Sequence, residues 1–129
     1  MRPAGTPRPR MGYAMRHGES RLVDLGPVRP GEANKRCLAA VVSNDDANAV
    51  AARLGRGVVT VVPVTSNVTR LHRFQVFLDS GESGLDHDSK AQAEQIRAVA
   101  VGRVGPVIGG LSISKIVELE EALRLHLNL

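Results

Sequence analysis

At 129 residues the chain can bury one hydrophobic core but not two, so a single folded domain is expected. Lysine and arginine total 17 against 13 acidic residues, a net charge of +4, which favours an anionic partner such as RNA, DNA or an acidic peptide. Aromatic residues make up 2% with no Trp, which argues against a platform stacking several bases on rings, and the single cysteine excludes an internal disulfide or a cysteine-rich zinc site.

Residues 1–14, rich in proline and arginine, read as a disordered basic extension, with residues 15–129 as the folded domain. The extension lacks the apolar core of a signal peptide and no stretch reaches membrane-spanning length, so with one cysteine in a reducing compartment a cytoplasmic protein is expected. Ser20 to Leu25 alternates as a first strand with Leu22 or Val23 inward, although Ser20 and Arg21 are polar for such a place. Gly26 to Arg36 holds two prolines, two glycines and three cations and reads as a long loop. Leu38 to Ser43 is a second strand, and Asn44-Asp45-Asp46 is a capping signal for a helix over Ala47 to Leu54.

The next stretch organises the rest. Gly57 to Val64 is an almost unbroken β-branched run, which suits a strand covered on both faces, and it ends in Thr65, Ser66 and Asn67 rather than in a turn glycine. Such a strand delivers polar groups to one spot, making these three the first candidates for a site, although on local evidence Ser and Asn there favour opening the next turn. Pro63 cannot donate to a ladder and belongs at a bulge or an edge. Arg73 to Leu78 is a further strand with Phe74, Val76 and Leu78 on one face, and Gly81 to Asp88 a polar loop. Lys90 to Val101 is ambiguous, helical by propensity but without a clean stripe. Ile113, Ile116, Val117, Leu119, Leu123 and Leu127 recur at helical spacing behind Ser112 and Ser114, an amphipathic C-terminal helix. Short strands with one terminal helix point to a mainly β fold, a small antiparallel barrel or rolled sheet. The four histidines, His17, His72, His87 and His126, lack ligand spacing and read as surface residues.

Gly18-Glu19, Val23-Asp24-Leu25, Glu32 to Arg36, Val41 to Asp45, Val61 to Asn67, Phe74-Gln75-Val76 and Asp88 to Arg97 occur in an order that resembles the MazF/PemK toxins of type II toxin–antitoxin modules, from about Arg16 to Leu129. The resemblance implies an SH3-like barrel of the CcdB/PemK type with a C-terminal helix. It further implies a homodimer that cuts single-stranded RNA without metal or cofactor and is silenced by an acidic antitoxin tail laid across the RNA site. It implies that Ser89 to Ala100 is mainly strand. In the family a loop arginine before a proline and the threonine ending the central strand are catalytic, and the threonine matches Thr65. Glu94, Gln95 and Arg97 match positions lining the RNA groove, with Glu32 and Asn34 on the facing loop. Base choice would depend on the loops carrying Lys35 and Ser66-Asn67.

Three departures bear on activity. The family's Arg-Arg-Pro appears as Arg36-Cys37-Leu38, putting Cys37 at the catalytic arginine's place, and a neutral thiol cannot replace a guanidinium. Arg36 is the near substitute, yet on extended chain it faces away from its neighbour's side. Ser20-Arg21 stands where the family has an aliphatic and an aromatic residue, and Arg73 replaces a proline. The alternative is therefore a weakened copy that binds antitoxin or RNA without cutting. A topoisomerase poison acting through the C-terminal helix ranks last, since Leu125 to Leu129 offers no terminal aromatic anchor.

Overall fold

The computed structural model describes residues 15–25 and 36–129. The basic extension 1–14 and the loop positions Glu32, Asn34 and Lys35 lie outside the described residues. The elements are β1 (Glu19–Asp24), β2 (Arg36–Val41), α1 (Asp45–Leu54), β3 (Val58–Thr65), β4 (Gln75–Leu78), α2 (Ser80–Ser83), β5 (Ser89–Gln92), β6 (Arg97–Ala100), β7 (Val104–Gly110) and α3 (Ile113–Leu127). All strand pairs are antiparallel, in the order β4-β5-β3-β2-β1-β7 with β6 also on β3. The path does not return on itself, so the architecture is an open, bent sheet with a C-terminal helix rather than a closed barrel.

β3 sits at the centre because its β-branched residues have an apolar partner on either side. Val62 and Val64 point into one core with Ala40, Val76, Leu78, Ala91 and, from α3, Leu119 and Ala122. Val59 and Val61 point into a second core with Val23, Ala39, Val41, Val99 and, from α1, Ala51 and Ala52. Each fully buried valine is worth about 1.5–3 kcal/mol of transfer free energy, so the strand is anchored from both faces as its composition predicts.

One edge of β3 pairs with β2 (Ala39↔Pro63, Ala40↔Val62, Val41↔Val61). The other pairs first with β6, over Val58 to Val61, and then with β5 at Val64 and Thr65. The change of partner falls at Val62-Pro63, where a residue without an N–H costs least. On the partner side the expected strand Ser89 to Ala100 breaks into β5 and β6 around a 3-10 turn, Ala93–Gln95.

Side-chain caps define both long helices. Asn44 accepts from the Ala47 amide at 2.8 Å and Ser112 from the Lys115 amide at 3.2 Å, the expected start of each helix to within two residues. Buried Asn48 ties α1 to the sheet: its Nδ2 donates to the Ser43 carbonyl at 2.9 Å, and the Ser43 hydroxyl donates to its Oδ1. α3 buries Leu119 and Ala122 but leaves Ile113, Val117 and Leu127 exposed, a narrower apolar face than the spacing suggests. Among the described residues no helix is long and apolar enough to cross a membrane.

Two elements escape the sequence reading. β7 contains Gly105, Pro106, Gly109 and Gly110, which read as breakers, yet it forms the sheet edge, where proline is tolerated. The glycines are steric requirements: a Cβ at Gly105 would lie 2.9 Å from the Leu22 carbonyl oxygen, and one at Gly109 2.5 Å from that of Ser83. α2 is a single turn inside the expected polar loop, capped by the Asp79 carboxylate accepting from the Gly81 amide at 2.8 Å. In β1 the polar Ser20 and Arg21 are both fully buried. Arg21 Nε donates to Glu19 Oε1 at 3.0 Å and its Nη1 to the Gly105 carbonyl at 3.0 Å, so its charge is compensated in place, while Ser20 Oγ has no hydrogen-bond partner.

Leu78 is fully buried between β4 and α3. Leu78→Ala is expected to lower the unfolding free energy by about 2–5 kcal/mol, read from the midpoint of a urea titration at unchanged slope.

Candidate active site

The polar end of β3 lies on the outer face of the short sheet β3-β5-β4. Thr65 is paired with Lys90, and Lys90 with Phe77, so the three side chains form one cross-strand row; Gln92 and Gln75 form the next. Thr65 is half-buried. Its Oγ1 accepts the Asn67 amide at 3.2 Å, and Asn67 Oδ1 in turn accepts the Thr69 amide at 3.2 Å. Thr65 and Asn67 therefore open the following turn, and the same bond orients the Thr65 oxygen while leaving its O–H to donate. Lys90 is only 8% exposed, and its Nζ donates to the Arg70 carbonyl in that exposed turn.

Glu94 and Arg97 form no ion pair with each other. Glu94 Oε2 accepts from Gln75 Nε2 at 2.9 Å, Gln75 Oε1 accepts the His72 amide at 3.1 Å, and Glu94 Oε1 is buried without a hydrogen-bond partner. Gln95 is exposed on the 3-10 turn. Arg97 is exposed and stands opposite Val61, on the same face of β3 as Thr65 but about 13 Å along the strand. Its Nη2 reaches the Leu25 carbonyl at 3.5 Å.

The β2 residues divide as alternation requires. Cys37 is half-buried opposite Val23, and the β2–β3 register, carried on by two residues, brings it to Thr65. Arg36 is exposed opposite Asp24 and lines a cleft with Asp24, Arg103 and Gly105 on the β1–β7 side, away from β3. Ser66 turns to the other face of the sheet, into a pocket of about 300 Å³ with Leu38, Val64, Leu85 and His87. Thus Thr65, Cys37 and the face bearing Arg97 converge, whereas Arg36 and Ser66 do not join them.

Lys90 and Gln75 were missed by sequence reasoning, since only register makes them neighbours of Thr65 and Glu94. The histidines are less scattered than their spacing suggests. His72 stacks on Phe74 with ring centroids 5.3 Å apart, His126 lies 6.1 Å from the same ring, and His17 bridges the Val42 carbonyl and Glu120. The site as a whole offers a hydroxyl donor, an ammonium and a guanidinium along one face, a set suited to an anionic ligand.

Comparison with known proteins identifies a family. The family model described as PemK-like, MazF-like toxin of type II toxin-antitoxin system matches residues 16–127. The chain is 56% identical over 115 residues to endoribonuclease MazF9 of Mycobacterium tuberculosis, covering 89% of this chain and 98% of the relative. In fold it resembles a MazE–MazF structure from Deinococcus radiodurans, with a TM-score of 0.72 at 21% identity over 91% of this chain and 98% of that one. It also resembles a mycobacterial endoribonuclease solved with its cognate antitoxin, with a TM-score of 0.71 at 20% identity over 90% and 97% of the two chains.

Gln75→Ala would leave both Glu94 carboxylate oxygens without a donor. It is expected to cost about 1–3 kcal/mol in urea unfolding, whereas Gln95→Ala at the neighbouring exposed position shifts stability by less than about 0.5 kcal/mol.

Proposed function

The chain belongs to the PemK-like, MazF-like toxins of type II toxin–antitoxin systems, and on that premise we propose that it is a cytoplasmic endoribonuclease that cuts single-stranded RNA as a homodimer, without a metal, until an acidic antitoxin segment covers the site. The observation that carries this reading is the hydroxyl of Thr65, half-buried at the tip of β3, its oxygen oriented by the Asn67 amide and its proton uncommitted.

Such a strand is cut by its own 2′-hydroxyl. The 2′-oxygen gives up its proton and bonds to phosphorus, the P–O5′ bond breaks with its electron pair, and the departing 5′-oxygen takes up a proton, leaving a 2′,3′-cyclic phosphate and a 5′-hydroxyl end. The protein's task is to hold the phosphate and stabilise the extra negative charge of the crowded intermediate. Thr65 donates to a phosphoryl oxygen, Arg97 steers the backbone along the same face, and Glu94, Gln95 and Asn67 border the path of the bases. Glu32, Asn34, Lys35 and Ser66 are assigned to RNA contacts by family resemblance alone.

Cys37 supports a second reading. With a thiol rather than a guanidinium beside Thr65, and Arg36 directed to the β1–β7 cleft, the dimer could retain its groove and bind antitoxin without cutting.

Purified full-length protein incubated with a long single-stranded RNA in EDTA separates the two. The endoribonuclease reading expects fragments ending in 2′,3′-cyclic phosphate and a rate about 10²–10³-fold lower for Thr65→Ala. Cleavage appearing only once Cys37→Arg is introduced selects the binding reading. Fragments that need added metal, or a Thr65→Ala rate equal to wild type, overturn the proposed centre.

A further inference from the structure

We infer that Lys90, the cross-strand partner of Thr65, is the cation that holds the scissile phosphate, supplying from β5 the charge that Cys37 fails to supply from β2. The inference rests on the RNA-cutting reading for its substrate, and on geometry for its choice of residue.

Position comes first. Directly opposed residues of an antiparallel pair carry their Cβ atoms about 4.5–5.5 Å apart on one face, so Thr65 and Lys90 project from the same face as neighbours, the Lys90 ammonium reaching on to the Arg70 carbonyl. The two arginines assigned to the site lie farther off: Arg36 lines the cleft beyond β1, and Arg97 lies four residues down β3.

The second argument is electrostatic. Lys90 is 8% exposed, and among the described residues it makes no ion pair. An ammonium has three N–H donors, and the one protein hydrogen bond found for this Nζ is to the Arg70 carbonyl. Burying a cation without a countercharge is expensive, and the cost is recovered when an anion arrives. The other buried cation, Arg21, shows the contrast, because Glu19 neutralises it inside the fold. Lys90 is thus a charge held ready, with donors unspent, next to the hydroxyl proposed to touch the phosphate.

The third argument concerns access. Ser66 to Arg73 are all exposed, so the turn that covers the Lys90 tip is at the surface, and a backbone phosphate that displaces it at the end of β3 meets Thr65 and Lys90 together. On the far side Phe77 is half-buried and offers no competing acceptor. In the reaction Lys90 transfers no proton: it neutralises the non-bridging oxygens as negative charge grows on them, and the 2′-oxygen to phosphorus step balances as written above.

The experiment pairs Lys90→Met, which keeps the length of the side chain and removes its charge, with Lys90→Arg, which keeps the charge. Two readouts on full-length protein are taken. In binding to an RNA made cleavage-resistant by a 2′-deoxy sugar at the cut, Lys90→Met should reduce the slope of log Kd against log salt by about 0.7, one phosphate contact to a single strand. Lys90→Arg and the control Arg53→Gln, on the exposed side of α1, should leave that slope unchanged. In cleavage, Lys90→Met should lower kcat about 10²–10³-fold with KM moved far less, and adding Cys37→Arg should restore part of the loss. A lysine that merely ties down the 66–73 turn would leave the salt slope at the wild-type value, and that result overturns the proposal even if activity falls. If wild-type protein binds RNA but never cuts it, the endoribonuclease reading fails while the slope still decides for or against Lys90. Should Lys90→Met prove unfolded by circular dichroism, Lys90→Gln takes its place with the same expectations.

Discussion

Val61 and Val62 are neighbours in sequence and point into different cores. That single alternation, sustained from Val59 to Val64, fixes β3 between α1 on one side and α3 on the other, and nearly every other element is arranged to cover one of its faces. A strand pinned on both faces has no freedom to slip, because a shift of one residue would exchange the two cores and bury Thr60 and Thr65 in place of valines. A rigid tip is what the role proposed for the Thr65 hydroxyl requires, since catalytic positioning tolerates little looseness.

Pro63 is where this strand hands over from one partner to another. Lacking an N–H, it marks the point at which β6 leaves and β5 begins, and the Ala93–Gln95 turn takes up the slack on the partner side. The handover sets two consequences at once. Glu94 and Gln95 are lifted out of the ladder, Glu94 being held by Gln75 while Gln95 faces solvent, and Lys90 is brought level with Thr65. The same interruption that ends one sheet therefore assembles the face of the other.

Among the described residues two cations lie inside this fold, and their surroundings give them different work. Arg21 replaces bulk in β1 and is paired to Glu19 and to a β7 carbonyl, so that a polar first strand, unpromising by composition, still packs without a stray charge. Among the described residues Lys90 has a carbonyl and no carboxylate. A guanidinium with its charge met is part of the scaffold, whereas an ammonium with its charge unmet carries a desolvation cost that an arriving anion would relieve. On the role proposed for Lys90, the departure from the family's usual arginine at Cys37 is offset from β5, on the far side of β3.

Local chemistry was enough to read much of this chain. The caps at Asn44 and Ser112, the doubly covered β3 and the candidate threonine are all written in short-range pattern, because caps, alternation and β-branching act over a few residues, whereas Pro63 stands at neither a bulge nor an edge but in regular register with Ala39 inside the sheet. The toxin family was legible too, in ordered motifs spread over most of its length. β7 was not: its glycines and proline signal a break, and only the close approach of Leu22 and Ser83 reveals that an edge strand needs them there. Nor could the chain be seen as open rather than closed, or Arg36 as turned away from β3. Lys90 is the clearest case, for residues 65 and 90 become neighbours only through β3–β5 register, and register is settled by the sum of long-range contacts across two cores, which no window of sequence contains.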